Sequence, residues 1–120
     1  MRLFRRRLKQ SYYLKQWQSL QSDCANRKSW PEAIKKADKL IDKALKQRGY
    51  KGKSTGEKLV AAQHDLSFNE AVWFSHKFAN KLAEDSVDVR KLKKKEVMMA
   101  LAGFREALRD LGALKRQHDN

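Results

Sequence analysis

Apolar residues recur along this chain every three to five positions, in runs separated by short polar breaks. The first run, about residues 8 to 24, carries Leu8, Tyr13, Leu14, Trp17, Leu20 and Cys24. The second carries Ile34, Ala37, Ile41, Ala44 and Leu45 and stops at Gly49, and a short third run holds Leu59, Val60 and Ala62. In the fourth, Phe68, Ala71, Val72, Ser75, Phe78, Ala79 and Leu82 share one face, and in the fifth Val97, Leu101, Phe104, Leu108 and Leu111 precede Gly112. Steps of three and four are the period of an amphipathic α-helix, and no run alternates as a strand would. The pattern predicts an all-α fold, a compact bundle of four main helices plus one short helix.

Start and stop signals agree with that pattern. Ser29–Glu32, Ser54–Glu57 and Ser67–Glu70 each read Ser-x-x-Glu before an apolar run, the spacing of a capping box. Pro31 stands in the first turn of the second helix, where a missing N–H costs nothing. Gly49 and Gly112 stand where a left-handed C-terminal residue is expected.

A chain of 120 residues suits one domain, with room for a core that needs no staple. The expected division is a basic arm or helix extension over residues 1–9, a helical-bundle domain over 10–114 and a tail over 115–120. Cys24 is the single cysteine, so no internal disulfide forms, as befits a reducing compartment. No apolar run is long enough to span a bilayer. The expected location is cytoplasmic, with membrane association through the basic N-terminal segment as an alternative. Charge alters the picture most: 28 Lys and Arg against 14 Asp and Glu leave a net +14. An excess of that size favours anionic partners, nucleic acid or an acidic membrane surface. The densest clusters are Arg5, Arg6 and Arg7 near the N-terminus and Lys93, Lys94 and Lys95 before the fifth helix.

The fourth helix carries the candidate chemistry. At 100° per residue His76, Asn80 and Glu84 fall on one line outside the apolar stripe, with Trp73 close to it. A tryptophan so placed covers a neighbouring helix, a ligand or a partner, and a homodimer is one such partner. His76 and Glu84 lie about 12 Å apart along the axis, too far to share an ion, and asparagine is a poor zinc ligand, so no metal or other cofactor is expected. No serine or cysteine nucleophile is placed by spacing, and the default role of a lone helical histidine is a structural hydrogen bond. On the second helix Asp42 reads as solvated and paired with Lys46 at i+4, whereas Asp38 borders the apolar stripe. An Asp38 carboxylate facing His76 and Asn80 is the functional alternative.

The runs "WPEAIKKADKLIDKALKQRGYKGKSTGEKL", "WFSHKFANKLAED" and "LKKKEVMMALAGFREALRDLGAL" resemble a group of short helical proteins of small-genome bacteria that are similar to HEPN domains. The resemblance covers about residues 17 to 114. In that group the segment matching "HKFANKLAED" reads His-Lys-x-Arg-Asn-x-x-x-His-Glu, and active HEPN ribonucleases cut RNA with an Arg-x(4–6)-His pair at a dimer interface. Here Ala79 stands at the arginine position, Asn80 at the asparagine and Glu84 at the histidine. Alanine cannot stabilise a phosphorane and glutamate cannot replace the imidazole, so the resemblance implies the fold without the cleavage. A membrane helix commonly precedes the domain in that group, and "RLFRRRLKQSYY" looks like a juxtamembrane basic segment.

The expectation is a non-catalytic HEPN-like module acting by contact with a protein or nucleic acid. The alternatives are a membrane-surface protein anchored by its basic arm, each cation adding about 1 kcal/mol near anionic lipid, and a residual ribonuclease using His76.

Overall fold

A computed structural model describes residues 7–84 and 88–116. Five α-helices lie within them: α1 (Gln10–Asp23), α2 (Trp30–Gln47), α3 (Thr55–Ala61), α4 (Asn69–Glu84) and α5 (Lys94–Asp110). Single 3₁₀ turns occupy Arg27–Ser29 and Val89–Lys91, and no strand occurs among the described residues. The helix α2 is the hub, packing against α1, α3, α4 and α5, while α4 and α5 form the most extensive pair.

The core follows the apolar stripes. Ile34, Ile41 and Leu45 of α2 are fully buried with Tyr13 and Leu20 of α1, Val72 of α4, and Val97, Phe104 and Leu108 of α5. Each such side chain contributes about 1.5–3 kcal/mol by leaving water. Trp17 and Leu101 join the same cluster, whereas Phe78 is half-buried at its edge and stacks on Phe74.

Both glycine stops form complete caps. Gly49 has φ 93° and Gly112 φ 83°. Around Gly49, Tyr50 N–H donates to Leu45 O and Gly49 N–H to Lys46 O, both at 3.0 Å; around Gly112, Ala113 N–H donates to Leu108 O at 2.8 Å and Gly112 N–H to Arg109 O at 3.0 Å. These are Schellman pairs, which satisfy carbonyls the helix leaves open.

The expected N-terminal boxes fare unevenly. Ser54 accepts from Glu57 N–H at 3.1 Å, and Glu57 Oε1 reaches one residue further back, to Lys53 N–H, at 2.9 Å. The hydroxyl of Ser29 makes no cap, because the preceding 3₁₀ turn holds its backbone away from an extended conformation. Ser67 is diverted as well: its N–H and hydroxyl donate to Asp110 at the far end of α5, at 2.8 and 3.2 Å, and α4 begins at Asn69.

Two packing details shape the rest. Gly103 lets α5 cross closely over α4: an added Cβ would lie 2.2 Å from Ser75 Oγ and 2.5 Å from Ala71 O. The buried Ser75 hydroxyl lies 2.6 Å from Ala100 O and 3.0 Å from Ala71 O, bridging the two helices. The face α4 buries is Val72, Ser75, His76, Ala79 and Leu82, turned toward the polar edge relative to the expected stripe. Phe68, expected in the core, is 54% exposed, and His76, expected outside it, is 8% exposed.

Candidate functional site

The buried turn of α4 meets α2 at a polar contact. His76 Nδ1 lies 2.8 Å from Asp38 Oδ1, and the two side chains are 10% and 17% exposed. With Nδ1–H donating to the carboxylate, Nε2 is the acceptor for Asn80 Nδ2–H at 3.4 Å, one helical turn on. Trp73 packs its ring edge-on to the imidazole, with centroids 5.9 Å apart. The first turn of α3 closes the group from the third side: a Cβ on Gly56 would sit 3.5 Å from the Trp73 ring and 3.7 Å from His76 Nε2. Thus Trp73, His76, Asn80 and Asp38 come together, and the neighbour that Trp73 covers is α3 of the same chain. Glu84 does not join them; it is exposed on the last turn of α4. Ala79 is buried in the core.

A second polar contact lies one turn further along α2. Lys58 of α3 reaches Asp42 Oδ1 at 2.8 Å, and Thr55 Oγ1 donates to the same oxygen at 2.9 Å. Burial pushes the Asp42 carboxyl up, but the hydrogen bonds from Lys58 and Thr55 and the charges of Lys58 and Lys46 outweigh it, so its pKa falls below the ordinary value. The expectation of a solvated Asp42 is therefore corrected. Lys46 acts on it through charge alone, and the partner that claims it comes from α3 and is itself buried. Asp38 and Asp42 together pin α2 to α4 and α3.

Chemically, this arrangement holds helices together. Both ring nitrogens of His76 are engaged, and α2, α3 and α4 close around it. Among the described residues, no three of His, Cys, Asp and Glu gather as a metal set. Cys24 is half-buried, its thiol donating to Leu20 O at 3.5 Å. Burial, and then the nearby Asp23, push the thiol pKa up, which makes it a poor nucleophile.

The cations distribute differently from the two sequence clusters. Arg5 and Arg6 lie outside the described residues. Arg7 is exposed and lines a polar groove with Arg48 and Gln10. Lys93, Lys94 and Lys95 are exposed at the start of α5. The expected clusters left out a row on α2. Lys36, Lys39, Lys43 and Lys46 are exposed at steps of three and four on the side opposite its buried face. Lys36, Lys39 and Lys43 line a groove of about 280 Å³ between α1 and α2, with Tyr12 and Gln16 on the other wall. Lys43 Nζ sits 4.4 Å over the Tyr12 ring and 3.0 Å from its hydroxyl. Arg27 and Lys28 extend the row beyond the N-terminus of α2. There Arg27 donates to Val89 O at 3.1 Å and Leu92 O at 2.7 Å, which brings the basic segment around Arg90 and Lys91 alongside. Two acids interrupt the row: Glu32 at its head, and Asp23, which binds Lys36 at 2.8 Å. The signal was present in "KKADKLIDKALK", where lysines keep helical period on the face opposite the apolar one.

No family model, curated protein or solved structure matches the chain. Among the described residues, no helix is long and apolar enough to cross a membrane.

Proposed function

We propose that this chain is a non-catalytic, HEPN-like helical module that binds single-stranded nucleic acid through the basic side of α2. The observation that carries this reading is the exposed lysine row beside the Tyr12 groove. It offers charge at steps of about 4.5–6 Å along the axis, next to an aromatic ring, which suits a phosphate backbone followed by stacked bases. Ala79 and Glu84 stand where cleavage would need arginine and histidine, and the enclosed His76 supports a binding rather than a catalytic role.

The test is anisotropy of a labelled single-stranded RNA across a salt series. Affinity falls steeply with salt, and substituting Lys36, Lys39 and Lys43 together by Gln flattens the log–log slope by about 2, from about 0.7 per phosphate contact. An unchanged slope and affinity overturn the role of this row. RNA cleavage that disappears in His76→Ala overturns the non-catalytic reading. Anionic liposomes separate the membrane alternative: if they bind more tightly than RNA and compete it away, the basic side serves lipid. Binding to neither at low salt moves the contact to a protein partner or a second copy.

A further inference from the structure

Between α1 and α5 lies a groove of about 490 Å³ that the nucleic-acid reading does not use. Its α1 wall presents Leu14, 49% exposed although leucine, and the edge of Trp17; Ala113 and Leu114 continue it beyond α5. The α5 wall carries Arg105 and Arg109. Both turn to one carboxylate: Arg109 donates to Glu106 Oε2 at 2.6 Å, and Arg105 Nε stands 3.8 Å from the same oxygen. Two guanidiniums against one carboxylate leave a positive charge in excess. Glu106 is bonded by Arg109, so Arg105 keeps only the longer ion-pair contact. A guanidinium paired only at that distance favours a second anion on its exposed side. Arg105 remains 40% exposed at the groove, available to meet one.

We propose that this groove binds a long-chain carboxylate, its alkyl chain along Leu14, Trp17 and Leu114 and its head at Arg105. The volume falls in the range of small-molecule pockets, about 300–1,000 Å³. The apolar wall and the exposed side of Arg105 suit the two halves of that ligand together. A bare anion leaves Leu14 in water, and a neutral amphiphile leaves Arg105 with its long contact to Glu106 alone.

The experiment is titration calorimetry of the full chain with dodecanoate below its micellar concentration, beside butyrate and dodecyl maltoside. Dodecanoate binds saturably at one site, while the short acid and the neutral-headed amphiphile bind at least tenfold more weakly. Leu14→Asp and Arg105→Gln change exposed positions, and the melting temperature without ligand checks that each variant folds. Each weakens dodecanoate binding tenfold or more. Absence of dodecanoate binding, equal binding of dodecyl maltoside, or affinity unchanged in both variants overturns the proposal. Because these positions lie away from the α2 lysines, RNA affinity stays unaltered in the variants, and loss of either activity is read separately.

Discussion

Asp42 is kept ionised by residues that arrive from another helix. Burial works against its charge, but Lys58 and Thr55 of α3 and the charges around it win, holding its pKa below the ordinary 3.8. A carboxylate with a depressed folded pKa stabilises fully above its unfolded value and loses that contribution as pH falls through the folded one. Asp42→Asn therefore costs stability at neutral pH, and urea midpoints of the two proteins converge as pH drops below 3.8. A gap that stays constant into acid rejects the ion-pair account. The partner of Asp42 illustrates why single residues were the least legible level, whereas an Asp38 carboxylate facing His76 is one of two alternatives the sequence offers. His76 and Asp38 are separated by 38 positions. A histidine bonded that way enters a core that its polarity alone would deny it. Only the three-dimensional path of α2 supplies the carboxylate, and no local spacing announces it.

Elements were more legible, and the exceptions have identifiable causes. The stripe of α5 appears as read, with Val97, Leu101, Phe104, Leu108 and Leu111 all buried. Apolar residues fill every position of that stripe, so its period is unambiguous. The stripe read for α4 holds at Val72, Ser75, Ala79 and Leu82, but it took in Phe68, which is exposed, and left out His76, which is buried with its hydrogen bond to Asp38 of α2. The serines at 29 and 67 show the same limit: a 3₁₀ turn takes one, and Asp110 takes the other. Two glycines then separate crossing from propensity. Gly103→Ala places a methyl against Ser75 and the Ala71 carbonyl, and costs about 1–3 kcal/mol because backbone must move. Gly56→Ala meets Trp73 and His76 at ordinary contact distance and gains about 0.5–1 kcal/mol through lower backbone entropy in α3. Chemical denaturation of both variants checks this pair of opposite signs; a Gly103→Ala protein as stable as the parent removes the close crossing.

At the scale of the whole molecule, the helical class and the single apolar core were legible because every stripe had to be covered by another. The distribution of charge was not, since linear clusters such as Lys93–Lys95 ignore how α2 gathers lysines spaced along its length. The arrangement around the hub has one more consequence. The helix α1 packs mainly on α2, faces a groove on its α5 side, and begins at Lys9 without a side-chain cap. It has neither an acid in its first turn nor a base in its last to oppose its dipole. An edge helix whose own ends are unreinforced opens as its own cooperative unit, ahead of global unfolding. In heavy water, the amide protons of α1 exchange sooner than those of α2 and α5, and uniform protection across the three helices contradicts this. Transient release of α1 bares Trp17 and the inner wall of the groove. The lifetime of the folded edge, rather than the depth of the core, then sets how readily proteases cut the chain.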